Sequence, residues 1–310
     1  MAIKNRHELF FVYDIKFANP NGDPTENNDL RMIGDKVIVT DVRLKRTIRD
    51  YIDQFYSGEE GLEIFVKEVM DDKGKIKDLK ARLKDFTWRK DEKNITEEDV
   101  KKLLKRAVDV RLFWLAIKLK LTWPVQFNFG QSLHEVSNIK IEGTTVFASS
   151  ENKEQWTFTE MFITPYAIIG FHGVVNEKAA EKTQMSEEDL KLLKEAIWLW
   201  TKNLITRSKF EQIPRILVDI KFKSEVKTHI GELEKYIVLN REEDVNKDKA
   251  IMDIQDVIFD FSKLLQKVED YKDLIEEVEI VLDSNVKVAD KQSLENHSLI
   301  KLLDEKIFLK

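Results

Sequence analysis

Residues 36–55 read Lys36-Val-Ile-Val-Thr40 and then Asp41-Val-Arg-Leu-Lys-Arg-Thr-Ile-Arg-Asp-Tyr-Ile-Asp-Gln-Phe55. A short apolar strand runs into a helix. Thr40 or Asp41 can accept from the orphan N–H groups of the first turn, which marks the helix start. Leu44, Ile48, Ile52 and Phe55 recur at helical spacing and define a buried face. Arg43, Lys45, Arg46 and Arg49 crowd the first two turns, against the positive end of the helix dipole. Unpaired N–H groups beside four cations suit an anion, above all a phosphate. The same residues fit a solvated face in which the cations pair with Asp50 and Asp53. On this stretch alone the two readings weigh equally.

The whole chain has 310 residues, 42% of them hydrophobic and 35% charged, with no cysteine. That length fits one large domain or two. Disulfides and thiolate chemistry are excluded. A Lys/Glu-rich, Cys-free composition is common in heat-adapted proteins. No apolar leader precedes the first polar residues, and no apolar run is long enough to span a bilayer. The expectation is a soluble cytoplasmic protein with no membrane partner. The net charge of −6 argues against a generic nucleic-acid coat. Residues 231–310 hold 20 acidic and 12 basic side chains, so the basic clusters belong to the first three quarters. An acidic tail limits indiscriminate binding without abolishing a focused basic groove.

Outward from the opening stretch, residues 8–17 are β-branched and aromatic and predict a strand, with Tyr13, Ile15 and Phe17 on one face. A polar loop over 18–36 carries the turn signals Asn-Pro, Asn-Gly and Asp-Pro. A loop of that length is either functional or disordered. Residues 61–70 are expected to return as a second core strand. Helical runs at 77–86 and 96–108 follow, the second capped by Thr96. Their strip of Lys101, Lys102, Lys105 and Arg106 reads best as a solvated face. Val125, Phe127 and Phe129 alternate in a half-buried strand that ends at Gly130-Gln-Ser, and His134 reads as a loop-edge histidine. Residues 135–164 predict a hairpin or extended arm. Its apolar side chains need either the chain's own core or a neighbour, because two strands alone are marginal. A continuous apolar strand at 165–176, a helix opened by Ser186 and a strand at 214–223 complete the core. The pattern is α+β and ferredoxin-like, with insertions. Residues 256–268 predict a further helix, and 276–283 short strands.

No phosphate-binding loop, dinucleotide fingerprint, zinc-protease motif or nucleophile elbow is present. The one constellation with catalytic potential is Asp23, Glu26, Asp29 and Asp35, which could hold Mg²⁺ for phosphodiester cleavage in a metal-dependent endoribonuclease. Asn and Asp side chains capping their own turns explain the same loop and weigh more.

Residues 19–53, with Asn-Pro-Asn-Gly-Asp-Pro, Leu-Arg and Val-Thr-Asp-Val-Arg-Leu-Lys-Arg-Thr-Ile-Arg-Asp-Tyr, resemble the opening of the "Cas seven" family. Those proteins are the repeated backbone subunits of type I CRISPR surveillance complexes (Cascade), and the likeness is to subtype I-B. Asp109-Val-Arg-Leu-Phe and Leu121-Thr-Trp-Pro-Val-Gln-Phe-Asn-Phe-Gly-Gln-Ser-Leu-His resemble a second signature of the family. The resemblance implies a hand-shaped α+β fold. A modified RNA-recognition-motif palm would span 1–70, 107–134 and 165–230, helical fingers 71–106 and a thumb hairpin 135–164. The acidic extension, 231–310, would pack on the palm. It also implies a non-catalytic subunit without metal or cofactor. Such a subunit binds crRNA, stacks on further copies of itself, meets other Cascade subunits and reaches target DNA through the guide. Arg31, Arg43, Lys45, Arg46, Arg49, Gln131 and Ser132 would hold the RNA backbone, with Arg111, Arg207, Lys209 and Arg215 as weaker candidates. Phe147, Trp156 and Met161 are the candidate thumb wedges, one base being displaced every six nucleotides.

Overall fold

The computed structural model describes residues 1–87, 96–113, 122–148, 156–242 and 247–309; the side chains at 144–148 and 156–159 are outside it. Strand β1 (His7–Ala18) is buried over most of its length. Phe17 leaves the predicted face and is exposed, because its backbone enters the left-handed region at φ 46° and breaks the two-residue alternation. Short pairings in the following loop, β2 (Gly22–Asp23), β3 (Asp29–Leu30) and β4 (Met32–Ile33), lead to β5 (Lys36–Val39). Helix α1 (Asp41–Phe55) begins where expected, with the Thr40 hydroxyl accepting from the Arg43 N–H. Leu44, Ile48 and Ile52 are buried as their spacing requires, whereas Phe55, at the last turn, is exposed.

Residues 61–70 are not a core strand. They make only isolated bridges, Glu63 to Ala107 and Met70 to Ile76. The reason lies at Asp109, whose fully buried carboxylate accepts from the N–H groups of Phe65 (2.9 Å) and Val66 (3.0 Å), bonds a neighbouring strand would otherwise make. Helices α2 (Leu79–Thr87), α3 (Glu97–Arg106) and α4 (Val108–Phe113) follow. Thr96 and Asp99 form the predicted capping box of α3. Phe65, Phe86, Val100, Leu103, Leu104 and Val110 make a separate small core for this region.

Strands β6 (Val125–Phe127) and β7 (Gly130–Ser132) return the chain to the sheet. Strand β8 (Ile139–Ala148) pairs antiparallel with the first part of β9 (Trp156–Val175), which is the predicted hairpin ribbon. The second part of β9 lies between β1 on one side and β6 and β7 on the other. Helix α5 (Glu177–Thr183) and the Ser186-capped α6 (Glu187–Asn203) precede β10 (Gln212–Phe222). The C-terminal part contains β11 (Val238–Arg241), β12 (Val257–Asp260), α7 (Ser262–Asp270), β13 (Ile275–Leu282), α8 (Lys291–Asn296) and β14 (Ile300–Asp304). Here the expected helix 256–268 is shortened. Val257 and Phe259 alternate inward as a strand against β11, and the helix starts only at Ser262.

Among the described residues ten strands form one sheet, ordered β14-β13-β10-β1-β9-β7-β5-β4, with β6 and β8 also paired to β9. It is mixed: β13 and β14 are parallel and the remaining pairs antiparallel. One face carries α1 and α6 over Leu9, Phe11, Tyr13 and Ile169. The C-terminal part covers the other face over Phe10, Val12, Ile168 and Val218. Buried Glu8 anchors that cover by accepting from the N–H groups of Ile230 (2.7 Å) and Gly231 (2.6 Å). His134 is buried rather than at a loop edge. Its Nε2 accepts from the Ile168 N–H (3.2 Å), its Nδ1–H donates to the Glu135 carbonyl (2.9 Å), and burial holds its pKa down.

Candidate nucleic-acid interface

One end of the sheet gathers four segments of the chain. They are the loop after β1, the first turns of α1, the ribbon part of β9 and the connection from α6 to β10. Together they enclose a groove of about 560 Å³.

Local hydrogen bonding straps the loop to the helix start. Asn21 Oδ1 accepts from the Thr40 N–H (2.8 Å) and hydroxyl (2.9 Å). Asn19 Nδ2 donates to the Asn28 carbonyl (2.8 Å), and Asn27 Nδ2 to the Glu160 carboxylate on β9 (2.9 Å). Gly22 is required in this strap, since a Cβ there would lie 2.8 Å from the Asn28 carbonyl oxygen. The Asn/Gly composition of the loop was visible in the sequence; that it ties three segments together was not.

Arg43, Arg46, Arg207, Lys209 and Met161 all line this groove. Arg46 is exposed and takes Asp50 as its partner at 2.6 Å. No ion pair is made by Arg43, Arg207 or Lys209 among the described residues. Burial, and then the nearby Arg43 charge, depress the Lys209 pKa. Burial likewise lowers that of Arg43, with Arg46 adding repulsion. Asp50 offsets part of this at Arg43, and cations that outnumber the nearby carboxylates are stabilised by an incoming anion.

The remaining candidates go elsewhere. Lys45 is buried, pairs with Asp41 at 2.8 Å and lies 4.7 Å from the Trp123 ring centroid. Arg49 pairs with buried Asp109 at 2.9 Å beside Phe113. At about 100° per residue, positions 45 and 49 lie roughly 40° apart and position 43 lies roughly 120–160° from both. Arg111 donates to both Asp189 oxygens, at 2.7 and 2.9 Å, and to the Gly61 and Leu104 carbonyls. Arg215 lies buried between Asp14 and Asp283. Arg111 and Arg215 are therefore internal fasteners, and so are Lys45 and Arg49. Arg31 pairs with Asp23 at 2.8 Å. Gln131 and Ser132 line a second groove, and the Ser132 hydroxyl is already used, donating to the His134 carbonyl (2.8 Å) and accepting from the Val37 N–H (3.2 Å). Of the wedge candidates, Met161 is half-buried; the side chains of Phe147 and Trp156 lie outside the described residues.

Asp23 has a local role in the structure. Its carboxylate accepts from the Thr25 hydroxyl (2.7 Å) and N–H (3.0 Å) and pairs with Arg31. Those contacts hold its pKa below the usual carboxylate value. No group of three potential metal ligands occurs among the described residues, and no helix among them is long and apolar enough to cross a membrane.

The fold is shared with a chain of a solved "CRISPR RNA-guided surveillance complex, pre-nicking". The likeness covers 97% of this chain and 96% of that one, with a TM-score of 0.56 at 12% identity. This defines the class at the level of fold. The family model for CRISPR-associated protein Cas7 matches residues 5–262. A Haloferax volcanii protein described as CRISPR-associated protein Cas7 is 30% identical over 318 residues, covering 93% of this chain and 90% of its own. The chain belongs to the CRISPR-associated protein Cas7 family.

Proposed function

We propose that this protein is a non-catalytic crRNA-binding backbone subunit of a type I CRISPR antiviral surveillance complex in the cytoplasm. The observation that carries the reading is the groove in which Arg43, Arg207 and Lys209 converge, none of them in an ion pair among the described residues, while the two carboxylates that also line it, Asp50 and Glu160, pair with Arg46 and Lys140. A single-stranded RNA backbone supplies the missing charge, and contacts to phosphate alone accept any guide sequence. The strand order β10-β1-β9-β7, with α1 and α6 on one face, supports a palm of the split βαβ kind. The C-terminal cover over the other face favours RNA at the sheet end. Ile139 and Ile141 are exposed on the ribbon and suit a head-to-tail contact with the next copy, which builds a filament because it does not close. Target DNA is then reached by pairing with the guide, and other Cascade subunits cap the assembly.

The test is a titration with single-stranded RNAs of unrelated sequence at several salt concentrations, with and without Mg²⁺. Similar affinities are expected, with log K falling against log salt at a slope of roughly −2 to −3 for three to four phosphates. The RNA stays intact. Strong sequence preference, a flat salt response, or Mg²⁺-dependent cleavage lost in Asp23→Ala would overturn the assignment.

A further inference from the structure

The C-terminal cover leaves the sheet face open toward β7 and β5. A second groove of about 940 Å³ runs there, lined by Lys36, Phe129, Gln131, Gly170 and Lys235 among others. Phe129 is the unexpected member. Its neighbour Phe127 packs inward, its ring filling the space over Gly173 where a Cβ would come within 2.5 Å. The Asn128 N–H donates to the His172 carbonyl (2.9 Å) between β6 and β7, and Phe129 emerges 60% exposed. A single exposed apolar side chain is ordinary on a protein surface; this ring differs in standing inside a groove beside an amide and a cation. Gln131 is exposed and its amide makes no hydrogen bond among the described residues; Lys36 makes no ion pair among them. The floor at Gly170 is closed by the Phe10 ring and Leu133.

We propose that Phe129 is a stacking platform for one base of the bound RNA, with the Gln131 amide and the Lys36 ammonium holding the adjoining ribose and phosphate. This inference rests on the RNA-binding reading above and names a contact of a different kind. An aromatic face flanked by an amide and a cation matches a nucleotide, which brings a π-face, polar edges and a negative charge together. An apolar protein segment covering Phe129 would instead strip water from Lys36 and Gln131 without repaying it. Asp41, at the start of α1, lines this groove, and Arg43, two residues on, lines the other. Stacking carries no sequence preference, so it fits a subunit that accepts any guide.

The experiment uses the full chain and a short single-stranded RNA containing 2-aminopurine, whose fluorescence is quenched by stacking. Phe129→Ala should weaken binding by about tenfold or more and remove the quenching. Its salt slope should match wild type, since no phosphate contact is lost. Phe129→Tyr should restore affinity and quenching, while Phe129→Leu should behave like alanine, lacking the π-face. Thermal melting of all three reports folding, and the exposure of the ring predicts little change. Wild-type affinity in Phe129→Ala overturns the inference while leaving the cationic groove in place. So does full rescue by leucine, or a loss confined to self-association, which assigns Phe129 to a protein contact. Failure of the wild-type chain to bind any RNA would sink the broader reading, a result distinct from these.

Discussion

Replacing Arg43 and Arg207 together by alanine is expected to weaken RNA binding by at least about a hundredfold. Each removes a charge-assisted bond to phosphate worth roughly 1.5–3 kcal/mol, and 1.4 kcal/mol is a factor of ten. The loss should be uniform across RNA sequences, and the salt slope should shrink by about 0.7 for each lost single-strand phosphate contact. Stability should be unchanged or slightly raised. Neither guanidinium makes an ion pair among the described residues, and Arg43 depresses the Lys209 pKa by repulsion, so removing it relieves Lys209. Fluorescence anisotropy and a melting curve on the same preparation check both parts. Unchanged affinity, or loss of binding caused by unfolding, would contradict the assignment of these residues.

The largest effect on stability is expected at Arg215, far from the cationic groove in chemistry if not in name. Its guanidinium neutralises Asp14 and Asp283, both buried, and Tyr166 donates to Asp14 at 2.6 Å. Arg215→Ala leaves two buried carboxylates facing one another and should cost about 3–5 kcal/mol. The pH dependence has a definite sign. Burial already pushes the Asp14 carboxyl above its ordinary value, and Arg215 offsets that only in part. Without Arg215 it rises further, so the folded state binds more protons than the unfolded one just above the ordinary carboxylate range. Stability of the variant should therefore fall as pH rises from mild acid to neutrality, and acidification should recover part of it. Chemical denaturation at two pH values measures this. An equal loss at both would show that the buried carboxylates are not its source.

Elements whose signals are local were legible in the sequence. Thr40, Thr96 and Ser186 cap the helices they were expected to cap, and Leu44, Ile48 and Ile52 are core. The failures are cases where a distant group decided the outcome. Residues 61–70 look like a strand until Asp109, some forty residues on, takes their N–H groups. The site was legible as a cluster of cations but not as a geometry. Rotation about α1 separates Arg43 from Lys45 and Arg49, and the partners that hold that pair, Asp109 and the Trp123 ring, lie outside the sequence window. Arg207 and Lys209 join Arg43 because β10 runs antiparallel to β1, bringing its preceding loop to the end where β1 finishes. Phe129 was expected to follow Val125 and Phe127 inward, but the break between β6 and β7 turns it out.

The most direct measurement is on RNA recovered with the protein when it is produced alongside a CRISPR array transcript. The bound RNA should be of one defined length, with the protein present in multiples along it, and partial nuclease digestion should show accessible positions repeating every six nucleotides. Protein that emerges free of RNA, or RNA digested uniformly with no repeat, would contradict the account.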